Sequence, residues 1–207
     1  MKTSNDSGWK EATTKAFQQQ FALNLRELND PPQHWRFFLE ELGRIKNPKR
    51  VVDIGCGVGS FSKLLRMWYG DLDYIGYDYS DAAIKTANAM WGELGKFEEK
   101  DYHDISTEDI NDGDIIVANA LCDVLPDGDE CFDHTLSLGA SNIIFLRVRI
   151  TDKESYYEEY EAYGEINTYA FYHNETGLDD MVKKHGYNPP RFSYYSENMI
   201  NLHLEKG

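Results

Sequence analysis

Cysteine is scarce: three residues in 207, Cys56, Cys122 and Cys131, with no CxxC pair and no His/Cys ligand spacing, which excludes a disulfide framework and a structural zinc site. Long apolar runs are missing as well. None approaches the roughly 18 residues that span a bilayer, and the opening Met1-Lys2-Thr3-Ser4-Asn5-Asp6 holds no apolar leader core, so a soluble, cytoplasmic chain without a membrane partner is expected. Positive charge is short: 21 Lys and Arg face 36 Asp and Glu, for a formal net charge of −15. That balance repels a phosphate backbone and disfavours nucleic acid as a partner. The densest basic group, Arg44, Lys46, Lys49 and Arg50, closes a helical segment, where cations complement the dipole. Linkers rich in Gly, Ser or Pro, internal repeats and low-complexity tracts are also absent, so residues 1–207 are expected to form one domain.

What is present is a 41% hydrophobic fraction with enough Tyr, Trp and Phe to build a core, leaving only the stretch up to Gly8 as an expected disordered end. A first helix is expected over Trp9–Leu28, a break at Pro31-Pro32, and an amphipathic helix over Gln33–Arg44 through Trp35, Phe38, Leu39 and Leu42. Short apolar runs then alternate with helix-period segments. The strands are Val51–Ile54, Tyr74–Tyr77, Phe97–Lys100, Ile115–Ala118 and Ile143–Val148; the helices include Asp81–Leu94 and Glu130–Leu138. This alternation predicts right-handed crossovers and a parallel sheet. Ile166–Tyr172 reads as a further strand, Leu178–His185 as a helix stopped by Gly186, and Arg191–Leu204 as one long strand region.

The run Val51-Val52-Asp53-Ile54-Gly55-Cys56-Gly57-Val58-Gly59-Ser60-Phe61 is a buried strand that turns through three glycines into a helix, the form of a nucleotide-cofactor cradle. A dinucleotide fingerprint is G-x-G-x-x-G, the nicotinamide or flavin alternative. This run is D-x-G-x-G-x-G, with an acid that would repel a pyrophosphate but accepts hydrogen bonds from an ammonium group. The second strand ends at Asp78, 25 residues beyond Asp53, where a doubly wound sheet places a ribose-binding acid.

These residues resemble the first two motifs of class I S-adenosylmethionine-dependent methyltransferases of the small-molecule type. The run Asp114–Asp127, an apolar strand followed by a turn ending Leu125-Pro126-Asp127, resembles the fourth. The resemblance implies a three-layer, Rossmann-like α/β sandwich with a seven-stranded, mostly parallel sheet and an antiparallel last strand. It implies S-adenosylmethionine as cofactor, S-adenosylhomocysteine as product, and a small-molecule acceptor whose O, N or C nucleophile displaces the sulfonium in line. Residues 1–46 would supply N-terminal helices and a lid, 51–148 the cofactor core, and 151–207 the acceptor side and last strands. Cofactor contacts are carried onto Asp53, Gly55, Cys56, Gly57, Gly59, Asp78, Tyr79 and Asn119, with Asp101 and Tyr102 at the adenine; Glu99 or Asp104 is the acid if the third strand is in another register. Two departures stand out: no Asn-Pro-Pro-Tyr or Asp-Pro-Pro-Tyr, and Asp123-Val124 where Glu-His often precedes Leu-Pro.

An activated methyl donor needs alignment and dryness more than a dedicated base. Candidates for the chemistry near the carboxyl ends of strands four to six are Asp123, His173 and Arg147, with Asn119 and Arg149 beside them. His103 and His134 are less suited. The acids Asp123, Asp127, Asp129, Glu130 and Asp133 fit no calcium loop, Asp127 or Asp129 being placed to cap a helix, so no metal is expected. Glu154–Gly164 reads as a helix with Tyr156, Tyr160 and Tyr163 on one face, either packed on the sheet or walling an acceptor pocket; Trp9, Phe17 and Phe21 are similarly placed for packing or a lid. A basic protein as acceptor, or cofactor binding without chemistry, are the alternative functions, and the chain is expected to be a monomer or homodimer.

Overall fold

The computed structural model describes residues 7–207; Met1–Asp6, which hold most of the expected disordered end and all of the leader reading, lie outside the described residues. Within that end, Ser7 is buried and the Gly8 N–H donates to Asn167 O at 2.8 Å, so the chain is already docked on the body there.

The elements in order are α1 (Thr14–Asn29), α2 (Gln33–Arg44), β1 (Arg50–Ile54), α3 (Ser60–Tyr69), β2 (Asp73–Asp78), α4 (Asp81–Trp91), β3 (Lys96–Glu99), β4 (Asp114–Asn119), α5 (Gly128–Ser137), β5 (Asn142–Thr151), β6 (Tyr156–Ala162), β7 (Ile166–Asn174), α6 (Glu175–Lys184), β8 (Arg191–Ser196) and β9 (Met199–Glu205). Helix α1 starts later than Trp9 because Thr13 accepts from the Ala16 N–H at 3.4 Å, and it ends before Pro31-Pro32.

Seven strands form the path β3-β2-β1-β4-β5-β7-β6, and β9 lies antiparallel on β5 with β8 antiparallel on β9. The pairs β1–β2, β1–β4, β2–β3, β4–β5 and β5–β7 are parallel. The period-2 alternation of the central strands builds the three layers. Val51, Val117 and Ile144 face α2 and α3 residues such as Phe38 and Leu64, while Val52, Ile116 and Ile143 face α5 and α6 residues such as Phe132 and Leu178. Each of these fully buried aliphatic side chains stabilises the sheet by about 1.5–3 kcal/mol.

Two expectations for the tail are corrected. Residues 156–162 form a strand, not a helix: β6 pairs antiparallel with β7 through the three-residue connection Tyr163–Glu165, in which Tyr163 (φ 54°) and Gly164 (φ 71°) both have positive φ and the Glu165 N–H donates to Ala162 O at 3.2 Å. Tyr156 stacks on Tyr172 at 4.8 Å, and Tyr157 meets Tyr169 edge-on at 5.2 Å. These cross-strand aromatic pairs outweigh the helical preference of the intervening Glu and Ala. The long strand region expected at Arg191–Leu204 is likewise split into the β8–β9 hairpin. Among the described residues no helix is long and apolar enough to cross a membrane.

Candidate active site

Parallel strands end together, and here the carboxyl ends of β1 to β5 open into a cavity of about 380 Å³. Its floor is the β1–α3 turn, its sides are the tips of β2, β4 and β5, and its roof is α1 with residues from α2 and the β6–β7 turn. Helix α1 is fixed over the turn by Ala16 and Phe17, which pack with Val58, Ala83 of α4 and Ile166 of β7.

At the floor, Asp53 is buried and takes the Tyr74 hydroxyl on Oδ2 at 2.6 Å, while its Oδ1 has no partner. Burial, only partly offset by the Tyr74 hydrogen bond and reinforced by nearby Asp78, pushes its carboxyl up to about 7. Asp78 accepts from the Ser80 N–H at 2.9 Å and the Gly57 N–H at 2.8 Å. Burial raises its carboxyl to about 6 against those two hydrogen bonds. An unpartnered carboxylate oxygen in the cavity suits a ligand that brings an ammonium group, and each Asp78 oxygen retains a lone pair for a hydroxyl.

The glycines of the turn do different jobs. A Cβ on Gly57 (φ 53°) would point at the Gln20 amide, 3.0 Å away in the cavity. A Cβ on Gly59 (φ 72°) would lie 2.3 Å from Phe97 Cε1, inside the packed interior, and Gly59 does not line the cavity. Its missing side chain therefore serves the seating of α3 against β3, which corrects its expected cofactor contact. Asp53, Gly55, Cys56, Gly57, Asp78, Tyr79, Asp101, Tyr102 and Asn119 all line the cavity, and of the acids around the end of the third strand Asp101 does so while Glu99 and Asp104 do not. Asp101 caps the short 3₁₀ turn after β3 by accepting from the His103 N–H at 3.1 Å.

Of the three candidates for the chemistry, only Arg147 reaches the cavity. It sits in a β5 bulge, where the register against β9 shifts between Phe145 and Val148, and has φ 62°. Its Nε–H donates to Asn119 Oδ1 at 3.1 Å. Asp123 and His173 are buried behind the wall: Asp123 pairs with Arg149, and His173 Nδ1 meets Asp129 Oδ1 at 2.7 Å. The reason is β7, whose Phe171 N–H and Thr168 hydroxyl donate to Asp123 O and Val124 O at 2.9 and 3.0 Å, covering the loop after β4.

The acidic run disperses in the same way. Asp127 stands at the start of α5 but makes no side-chain cap, accepting instead from the Tyr102 hydroxyl at 3.1 Å; Asp133 holds Lys184 and His185. His103, Asp127 and Glu130 bring one ligand atom each within 4.8 Å of one another.

The sequence alone does not single out Gln20, Asn24, Glu27 or His34, which line the roof. Burial, with the Arg147 charge adding to it, drives the His34 imidazole down to about 3, and burial raises the Glu27 carboxyl against the same charge. Trp9, Phe17, Tyr160 and Tyr163 also line the cavity, whereas Phe21 packs on Trp91 at 5.7 Å. Amphipathic periodicity marks the apolar face of α1 and α2 but not what that face covers.

Residues 26–189 match the sequence model of a family described as a methyltransferase domain. The chain is 35% identical over 102 residues to trans-aconitate 2-methyltransferase of Escherichia coli, an alignment covering 48% of this chain and 39% of that protein. A second Escherichia coli strain's enzyme of that name is 34% identical over 116 residues, covering 55% and 44%. The chain thus spans less than half the length of the curated relatives it matches. In fold it is similar to magnesium protoporphyrin IX methyltransferase from Synechocystis with bound SAM (TM-score 0.59, 16% identity, 92% of this chain and 84% of that one). It is also similar to a TehB-like SAM-dependent methyltransferase from Corynebacterium glutamicum (TM-score 0.62, 14% identity, 94% and 98%).

Proposed function

The chain belongs to the methyltransferase-domain family, and from that membership we propose that it transfers a methyl group from S-adenosylmethionine to a nucleophile on a small molecule. The observation that carries this reading is the placement of Asp53, Asp78 and Asp101 at or just beyond the carboxyl ends of three neighbouring strands, around a turn whose Gly57 leaves room under α1. The cradle fits the cofactor by its own chemistry: the orphaned Asp53 Oδ1 would answer an α-ammonium, the open lone pairs of Asp78 would answer the ribose hydroxyls, and Asp101 with the Tyr102 backbone would take the adenine.

When bound, the cofactor supplies a methyl carbon on a sulfonium; the acceptor's O, N or C lone pair forms the new bond while the carbon–sulfur pair leaves with sulfur as a neutral thioether. The protein's part is alignment and exclusion of water. Helix α1 and the β6–β7 turn close the cavity with Trp9, Phe17, Tyr160 and Tyr163, and Asn119 fixes the side chain of Arg147 on the side away from Asp78. His34 is too weakly basic to collect a proton near neutral pH, so it acts as a neutral hydrogen-bonding group. Acceptors that are already deprotonated need no more than this; for others Glu27 is the cavity carboxylate that this reading does not assign to the cofactor.

The relatives named for trans-aconitate support a small-molecule acceptor. Calorimetry with S-adenosylhomocysteine tests the cofactor assignment: micromolar binding is expected, lost by at least tenfold in Asp78→Ala. No binding to the folded wild-type chain overturns it. Transfer of label from methyl-tritiated cofactor to small molecules of a metabolite extract, and not to its proteins, tests the acceptor class.

A further inference from the structure

Resting on that reading of the cavity, we propose that Arg147 is the acceptor's anchor, binding a carboxylate and thereby selecting small organic acids as methyl acceptors.

In a chain of net charge −15, cations that are partly buried find acids. Arg50 pairs with Asp114, Arg149 with Asp123, and Arg191 with Glu41 and Glu205. Arg147 is half-buried and lines the cavity, yet among the described residues it enters no ion pair. Its Nε is committed to Asn119, which orients the guanidinium and leaves the two terminal nitrogens without a protein acceptor among the described residues. Such a fork is matched to a carboxylate. The other lysine or arginine lining the cavity, Lys100, is already held by Asp109 at 2.6 Å. One free cation suits a carboxylate better than a dianionic phosphate.

A second group points the same way. His34 is 4% exposed, lines the cavity, and its Nδ1 has no partner. A neutral imidazole carrying its proton on that nitrogen donates one further hydrogen bond to an anion. Glu27 shares the lining without pairing with Arg147, so the anion's place is left open.

The anion has two sources, the acceptor or the cofactor's own carboxylate. Strand position favours the acceptor. β5 lies two strands from β1, about 10 Å at sheet spacing, on the side opposite β2 and β3, which carry Asp78 and Asp101. On the proposed reading the cofactor tail would lie at the β1 turn, whereas Arg147 lines the cavity on the β5 side together with Tyr160 and Tyr163.

The test is calorimetry on the full chain loaded with S-adenosylhomocysteine, with benzoate, cinnamate and trans-aconitate as probes and benzamide and cinnamamide as uncharged counterparts. At least one acid should bind, and the matching amide, or for trans-aconitate its trimethyl ester, should bind at least tenfold more weakly. Arg147→Gln should lose the acid by tenfold or more while holding S-adenosylhomocysteine within twofold, and Arg147→Lys should recover part of the loss. Equal affinity for acid and uncharged counterpart, or no acid bound by the wild-type chain, overturns the proposal without recourse to a variant. A tenfold loss of S-adenosylhomocysteine in Arg147→Gln overturns it in favour of the cofactor's carboxylate. Failure of the wild-type chain to bind S-adenosylhomocysteine removes the underlying reading instead, and is seen before any acid is added.

Discussion

The Arg147 N–H donates to Asn201 Oδ1 at 3.0 Å, so a fully buried side chain of the last strand holds the backbone of a cavity residue. Asn201 is itself fixed through its Nδ2, which donates to Ser193 Oγ on β8 at 3.1 Å. Three non-glycine residues of the cavity have positive φ, Tyr163 at 54°, Arg147 at 62° and Ala120 at 50°, and the Ala120 N–H donates to Leu146 O at 3.0 Å. Strain of this kind persists only where surrounding structure imposes it. The C-terminal hairpin imposes it here, and turns a β5 side chain toward the cavity.

Arg147→Gly and Arg147→Ala should therefore differ in stability. Both lose the side chain, but glycine accepts φ 62° freely, so the Gly variant should unfold about 1 kcal/mol later than the Ala variant. Asn201→Ala should cost about 1–3 kcal/mol, because it leaves the Arg147 N–H without its buried partner. Urea unfolding of the three variants checks this, and an Ala variant as stable as the Gly variant would mean that the bulge is not under strain.

The raised carboxyl of Asp53 makes cofactor affinity depend on pH. Its carboxyl lies at about 7 in the unliganded fold, and an ammonium partner needs the carboxylate. Affinity for S-adenosylhomocysteine should rise from pH 5 to pH 7 by up to tenfold per unit, about 1.4 kcal/mol each, and then level. Folding stability moves the other way. The folded carboxyl holds its proton more tightly than the unfolded one at 3.8, so this site's penalty is absent at low pH and grows as pH climbs to about 7. Asp53→Asn should flatten the binding profile, leaving only the shallower dependence of Asp78 near 6, and should gain stability over wild type at pH 8 but not at pH 4. Equal slopes for wild type and variant in calorimetry between pH 5.5 and 8 would remove Asp53 from the cofactor site.

The cradle was legible in the sequence because its signals are local. A branched apolar run, three glycines and acids at the ends of successive strands lie within short stretches, and Asp53, Asp78 and Asp101 stand where strand alternation puts them. The roof was not legible. The Tyr-Glu spacing of residues 154–164 satisfies a helical face, and only the distant partners Tyr169 and Tyr172 make it a strand. His173 and Asp123 fall at strand ends, as chemistry-bearing residues do, but β7 crosses the loop after β4 and seals them from the cavity. His34 and Glu27 carry no motif; they matter because α1 and α2 fold back over the strand tips.

Gly57 and Gly59 should separate binding from folding. Gly57→Ala puts a methyl 3.0 Å from the movable Gln20 amide and at positive φ, costing about 1 kcal/mol of stability while at least tenfold of S-adenosylhomocysteine affinity is lost. Gly59→Ala drives a methyl into Phe97, and overpacking adds about 1–3 kcal/mol to the backbone cost. Combining it with Phe97→Leu should return part of that stability. Melting curves beside calorimetry decide; if Gly59→Ala melts like Gly57→Ala, its packing role is refuted.

Glu41 joins the N-terminal helices to the C-terminal hairpin, and removing it should loosen the roof from the frame that holds Arg147. Its Oε2 accepts from Arg191 Nε at 2.6 Å and lies 2.7 Å from His203 Nδ1, while His203 Nε2 lies 2.9 Å from Asn142 Oδ1 on β5. The Glu41 side chain is only 6% exposed, and although burial opposes its charge, the His203 and Arg191 hydrogen bonds hold its carboxyl below the usual range. A depressed carboxyl contributes stability above 4.5 that is lost as pH falls through the folded value, opposite in sign to Asp53. Glu41→Ala leaves His203 buried and Arg191 short of an acid, so a loss of about 3 kcal/mol is expected at pH 7, with a smaller loss for Glu41→Gln, which retains an acceptor. Hydrogen exchange adds the spatial test: in Glu41→Gln, amides of α2 and of β8–β9 should exchange faster together while those of β1 and β2 keep their protection. Faster exchange confined to α2 would show that the ion cluster does not tie the roof to the hairpin.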